Sequence, residues 1–309
     1  MCTLIDNFIQ DKQHFRNISH KTILAYRSDL TQFMMFQEHH ELELTDGMSD
    51  FITDLQITQH LMPSTIKRKI TTCKMFYQYL LDEQVLNQDP NTGFRRNTKF
   101  IVPETLPRVL QIKEVKTILS AAYEDYNRAK TPYRIKTSTR NIAILEVLTA
   151  TGIRIGELSS LNIDDLNFAN RSLLIHGKNR KERLLFLSSP DTYQALKDYL
   201  QTRNTFIPHT DALFLNKYGN RLSIFGIENI FLKYRNITNT SSSATPHFLR
   251  HTFATELINN GADIREVQEL LGHTSITTTT IYAAVSSAQK KKVLRKFNYR
   301  NSMHIKTSK

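Results

Sequence analysis

The stretch "HFLRHTFATELINNG", residues 247 to 261, decides how the rest of the chain is read. His247, Arg250 and His251 fall within five residues, so a helix starting here carries all three on its first turns. Two histidines four apart can share a zinc ion, and His273 would be a third ligand. Yet Phe248 stands where a metalloprotease helix of this kind places its glutamate base, which disfavours zinc. A grip on nucleic acid, or part of a catalytic set completed elsewhere, are the other two readings.

Composition narrows the choice. A chain of 309 residues suffices for two domains of ordinary size. With 40% hydrophobic residues and only 9 glycines and 8 prolines, a largely helical fold is expected. Forty-one Lys plus Arg against 29 Asp plus Glu leave a net charge of +12. Such an excess points to a polyanionic partner, of which nucleic acid is the usual one; a merely basic soluble protein is the alternative. Cys2 and Cys73 make neither a zinc-finger spacing nor a disulfide framework. The N-terminus "MCTLIDNFIQDKQHF" meets charge too early for a secretory signal, and no apolar run reaches membrane-spanning length. A cytoplasmic protein with no membrane partner is expected.

Residues 1–86 read as a helical domain. Ser19 is placed to cap a helix with Ile23, Tyr26, Leu30, Phe33 and Met34 on one stripe. A second helix carries Ile66, Ile70, Cys73, Phe76, Tyr77 and Leu80 on one face, with Lys67, Arg68, Lys69 and Lys74 assigned to the other. That basic face suits a phosphate backbone, or is simply solvated. Residues 87–106, with their prolines and Arg95, Arg96 and Lys99, read as a basic extended linker. A second domain, 107–297, mixes helices with a small β-sheet, and 298–309 read as a tail. Its "TRNIAILEVLTATG", residues 139 to 152, is a nearly all-apolar helix ended by Gly152. "RSLLIHGKNRKERLLFL", residues 171 to 187, is two strands around a charged tip. Helices are expected near 190–202, 225–236, 247–260, 263–271 and 275–285, and Asp263 followed by Glu266 is a good start signal for the fourth.

Several polar residues then need one explanation: Arg154 after the apolar helix, Lys178 at the hairpin tip, His247 and Arg250, His273 in "LLGHTS", and Tyr282 in "TTTTIYAAV". Singly, each has a bland reading as an ion pair, a solvated lysine or a core tyrosine. In this order, and within "LTATGIRIGELSSLNIDDL", "IHGKNRKERLLFL" and "TPHFLRHTFATELINNGADIREVQELLGHTSITTTTIYA", they resemble the tyrosine recombinase family, including phage integrases and the Xer recombinases. The likeness extends to "SHKTILAYRSDLTQF", which looks like that family's core-binding domain, and so spans nearly the whole chain. The hairpin tip departs from the family's frequent Gly-Lys-Gly, and "IYAAV" lacks the histidine often found two residues after the tyrosine in Xer sequences.

The chemistry fits these residue types. A phosphodiester is an anion that gathers further charge in the transition state, and forked guanidiniums suit its paired oxygens. Arg154 and Arg250 are assigned that role. The resemblance implies that Tyr282 is the nucleophile, giving a 3′-phosphotyrosyl link and a free 5′-hydroxyl. It implies that Lys178 protonates the leaving 5′-oxygen, with Lys181 a second candidate. His247 would assist proton removal or hold the phosphate, and His273 would hydrogen-bond it. His251 is left structural. Glu157 either orients Arg154 or is a surface glutamate. No cofactor and no metal is expected, since the arginines supply the charge.

The resemblance also implies a fold that is mainly α with a small sheet, its two domains clamping double-stranded DNA, and a homo-tetramer on synapsed sites. An accessory DNA-bending protein or a partner recombinase is compatible with it. The helix in "SSAQKKKVLRKFNYR" would dock on a neighbour through Val293, Leu294 and Phe297, or use its basic residues on DNA. A topoisomerase-like nicking and closing enzyme and a catalytically silent DNA-binding regulator are the alternative functions. Integration, resolution and inversion all use this chemistry.

Overall fold

The computed structural model describes residues 2–16, 18, 20–90, 109–177, 182–241, 243–272, 287–303 and 305. The chain divides into two compact units, Met1–Thr105 and Leu106–Lys309. Most of the linker, the hairpin tip with Lys178 and Lys181, the expected 275–285 helix, Ser19, His273 and Tyr282 lie outside the described residues.

The first unit is helical: α1 (Cys2–Arg16), α2 (His20–His39), α3 (Met48–Thr53) continuing into a π-helical turn (Asp54–Thr58), and α4 (Pro63–Asp82). The stripes of α2 and α4 face each other as their spacing predicts. Leu30, Phe33, Ile66, Cys73, Phe76, Tyr77 and Leu80 are all buried in one cluster.

Lys69 corrects the reading of α4. It is buried, not on the outer basic face: its Nζ donates to Asp29 Oδ1 at 3.0 Å and to Gln32 Oε1 at 2.6 Å. The spacing Ile66, Lys69, Ile70, Cys73 puts it on the apolar side, and the fully buried Asp29 of α2 supplies the counter-charge. Arg68 and Thr72 also donate to Asp29. Lys67 and Arg68 are exposed.

The second unit is built around α6 (Pro132–Thr151), which is buried without interruption from Ser138 to Thr151. Around it lie α5 (Ile112–Asn127), α7 (Ile155–Ser160), α8 (Pro190–Arg203), α9 (Ile224–Ile237), α10 (Pro246–Asn259), α11 (Ile264–Leu271) and α12 (Ser287–Phe297). Three antiparallel strands, β1 (Leu166–Asn167), β2 (Ser172–His176) and β3 (Glu182–Phe186), form a sheet in the order β1-β2-β3. The protein is thus mainly α with a small sheet. No helix among the described residues is long and apolar enough to cross a membrane.

Two glycines shape the ends that matter. Gly152 closes α6 at φ 60°, and a Cβ there would lie 2.5 Å from Phe253 Cδ1 of α10. Only a residue without a side chain lets α10 approach so closely in that conformation. Gly272 closes α11 at φ 66°, and Asp263 caps its start by accepting from the Arg265 N–H at 2.7 Å.

The C-terminal reading is corrected twice. Val293 and Leu294 of α12, assigned to a neighbour's surface, are instead buried in the core of their own unit. Residues 298–303 are no free tail either. Tyr299 and Met303 join the core, and the fully buried Arg300 pairs with the fully buried Glu146 of α6 at 2.6 Å. Glu146 interrupts an apolar helix, and a carboxylate so placed requires a buried cation.

Candidate active site

Three helix ends converge in the second unit: the C-terminus of α6, the start of α10 and the C-terminus of α11. Arg250, in the first turns of α10, is buried and spans two of them. Its Nη1 donates to the Gly152 carbonyl at 2.7 Å, and its Nη2 to the Leu271 carbonyl at 2.7 Å. Arg154, two residues past Gly152, donates from Nη2 to the next carbonyl, Gly272, at 3.4 Å. Helix C-termini present unpaired carbonyls and partial negative charge, so both guanidiniums are drawn there. Burial, then the nearby charge of Arg154, push the Arg250 guanidinium down to about 10, which leaves it protonated at neutral pH. Each arginine keeps further N–H donors uncommitted to these contacts.

Glu157 is no surface glutamate. It lies in the first turn of α7, and its side chain is 11% exposed. Oε2 accepts the Arg154 backbone N–H at 3.1 Å and Oε1 accepts Arg154 Nη1 at 2.8 Å. The carboxylate therefore caps the helix and aims the guanidinium together.

A residue that sequence reasoning missed completes this group. Arg183 of β3 donates from Nη2 to Glu157 Oε2 at 2.7 Å and from Nη1 to Oε1 at 3.0 Å. Burial raises the Glu157 carboxyl, but hydrogen bonds and charge from Arg183, then from Arg154, outweigh it and hold it below the usual carboxylate value. The signal was present in the strand pattern: Glu182 and Leu184 point outward, so Arg183 points in with Leu185. Three guanidiniums around one carboxylate leave the site positive, which is what a phosphate anion requires.

His247 and His251 are exposed at the start of α10. Burial and then the neighbouring His247 and Arg250 lower the His251 imidazole, which favours its neutral form. Among the described residues, no group of three or more His, Cys, Asp or Glu side chains is arranged to hold a metal ion. At the neck of the hairpin, His176 pairs across the sheet with Glu182. Its Nδ1 lies 3.0 Å from Glu182 Oε1 and its Nε2 lies 2.8 Å from Asp165 Oδ1. The hydrogen bond to Asp165, reinforced by Glu182, raises the His176 pKa.

Residues 108–289 match the sequence model of the Phage integrase family, and residues 5–84 match that of the phage integrase N-terminal SAM-like domain. A tyrosine recombinase of Agathobacter rectalis is 33% identical over 98% of each chain. Tyrosine recombinase XerD of Staphylococcus epidermidis is 36% identical over 97% of this chain and 100% of its own. Among solved structures, the XerH site-specific recombinase bound to palindromic difH substrate has a TM-score of 0.71 at 22% identity, covering 92% of this chain and 78% of that one. A lambda integrase dimer bound to a COC′ core site gives 0.64 at 17% identity, covering 90% and 75%. Those two likenesses concern the fold. With both family models in chain order and relatives aligned from end to end, the chain belongs to the phage integrase family and is a site-specific tyrosine recombinase.

Proposed function

We propose that this DNA strand-exchanging recombinase cuts its site through Tyr282, with Arg154 and Arg250 clamping the scissile phosphate. The observation that carries the reading is the convergence of the two guanidiniums on the Leu271 and Gly272 carbonyls, immediately before His273. Each is held from behind and keeps donors for an anion. A guanidinium fixed in advance stabilises developing charge without reorganising at the moment of reaction.

Tyr282 Oη attacks the phosphorus while its proton passes toward His247. The bond from phosphorus to the 5′-oxygen breaks, and Lys178 or Lys181 protonates the leaving oxygen. His273 hydrogen-bonds a non-bridging oxygen. The 3′-phosphotyrosyl link conserves the bond's energy, so a 5′-hydroxyl from a second strand can attack it and reseal. This route needs neither cofactor nor metal, because the arginines provide the charge.

Two domains, 1–86 and 107–297 with the basic linker 87–106 between them, clamp duplex DNA in this reading. The core extends beyond 297 through the buried Arg300. A homo-tetramer on two synapsed sites in the cytoplasm performs the exchange. The net charge of +12 and the exposed Lys67 of α4 support binding to a phosphate backbone.

The test is denaturing-gel detection of a covalent adduct on a nicked suicide substrate. Tyr282→Phe should abolish the adduct and leave site binding nearly intact. An adduct formed by the Phe variant would remove Tyr282 from this role. Adduct formation without joined products from two labelled sites would favour a nicking and closing enzyme. Binding with no adduct by the unaltered protein would favour a regulator.

A further inference from the structure

The second residue of β3 after the hairpin tip, Arg183, is 13% exposed at its side chain. A guanidinium so enclosed needs a counter-charge, and it takes both oxygens of Glu157. Arg154 uses the same carboxylate, with Oε1 shared between the two arginines. The Arg183 side chain also lies against Gly272: a Cβ there would come within 3.2 Å of its Cδ, Nε and Nη1. Gly272 is the residue whose carbonyl holds Arg154. One side chain therefore touches both groups that aim Arg154.

Its place in the sheet gives these contacts a consequence. Arg183 pairs with Ile175, one step inside the last pair of the hairpin, His176 with Glu182. Residues 177–181, with Lys178 among them, connect that last pair. On the β2 side, the neck is tied to Asp165 through His176. On the β3 side, Arg183 ties it to the start of α7, where Arg154 sits.

We infer that Arg183 is a positioning residue that holds the hairpin carrying the general acid in register with the phosphate clamp, through the carboxylate of Glu157. The inference rests on the reading of Lys178 as that acid. Without the tie, the ammonium meets the leaving oxygen less often, and catalysis is steeply sensitive to such displacement. In the step concerned, the phosphorus to 5′-oxygen bond breaks as the Tyr282 oxygen bonds to phosphorus and passes its proton toward His247, and the leaving oxygen takes one proton from the lysine ammonium.

The test compares two suicide substrates that differ only in the bridging atom, 5′-oxygen or 5′-sulfur. A thiolate departs without a proton, so a defect in general acid catalysis disappears on the sulfur substrate. Single-turnover cleavage by the full chain is measured for Arg183→Met, Arg183→Lys and Lys178→Ala. Arg183→Met is expected to lose at least about tenfold on oxygen, since general acids contribute roughly a hundredfold or more. On sulfur it should approach the unaltered protein, as Lys178→Ala does. Arg183→Lys should show the same pattern more weakly, and it carries the test if the Met variant does not fold. Equal losses on both substrates, with Lys178→Ala rescued, would overturn the inference and reduce Arg183 to a support of the clamp or the fold. Unimpaired cleavage of the oxygen substrate would also overturn it. Failure of sulfur to rescue Lys178→Ala would instead remove the general-acid reading, and this inference with it.

Discussion

Arg300→Met should destabilise the catalytic unit by about 3–5 kcal/mol, the usual result of removing one partner from a buried ion pair. Arg300 and Glu146 are both fully buried at their side chains. Arg300 Nε donates to Glu146 Oε2 at 2.9 Å and Nη2 to Oε1 at 2.6 Å. Methionine fills similar volume but, among the described residues, leaves the carboxylate with only the hydroxyls of Tyr123 at 2.9 Å and Thr192 at 3.0 Å. Two neutral donors do not balance a charge withdrawn from water. For a unit of this size the loss corresponds to roughly 6–20 °C in Tm. Glu146→Gln should cost less, because Arg300 retains Asp191 at 3.1 Å, whose side chain is 55% exposed. The sharper expectation is non-additivity: Arg300→Met with Glu146→Gln should be more stable than Arg300→Met alone, since the stranded charge is gone. Urea unfolding of the four proteins, followed by fluorescence at one pH, closes the cycle. Strict additivity, or a single-variant loss within about 1 kcal/mol, would show that the C-terminal segment does not depend on this pair.

Arg154→Lys and Arg250→Lys should each reduce single-turnover cleavage by at least about a hundredfold despite keeping the charge, because an ammonium cannot span the two contacts each guanidinium makes. Near-normal cleavage by either variant would remove it from the clamp. His176 has its pKa raised by Asp165 and then Glu182, so its contribution to stability is complete below the ordinary histidine value of about 6.5 and is lost as pH rises through the folded value. Across that window the Tm of the unaltered protein should fall relative to His176→Gln, and parallel pH curves would refute it. Adduct formation should persist in EDTA at constant ionic strength while site binding weakens steeply with added salt, as the +12 charge implies. Activity lost to EDTA and restored by zinc would revive the metal reading of the histidines.

Much of the fold was legible because its signals are local. The apolar stripe of α4, the Gly152 stop and the two strands each follow from residues within a few positions of one another. Arg154 and Arg250 stood out only through their order with the other polar residues and the resemblance that this order carries, since singly each has a bland reading; the structure adds that both guanidiniums reach the C-terminal carbonyls of α11. Glu157 was half legible: its i+3 spacing placed it beside Arg154, but only the structure shows the carboxylate turned in. The hairpin tip, His273 and Tyr282 lie outside the described residues, so their roles rest on the sequence pattern.

What the sequence hid is consistently the partner of a buried charge. Asp29 and Lys69 are 40 residues apart, Glu157 and Arg183 are 26 apart, and Glu146 and Arg300 are 154 apart. In each case one member sits at an apolar position by its spacing: Lys69 between Ile66 and Ile70, Arg183 beside Leu185, Glu146 within "IAILEVL". Helical or strand period can therefore announce that a charge is inside, because an unpaired one would cost several kcal/mol. It cannot say which distant residue answers it, since that depends on how the elements pack. The same pairs determine what the +12 net charge means. Lys69, Arg183 and Arg300 are spent on internal carboxylates, and the exposed Arg68 also donates to the buried Asp29, whereas Lys67 stands exposed on α4. A count of basic residues on a helix face is a guide to phosphate binding only after those facing a buried carboxylate have been set aside.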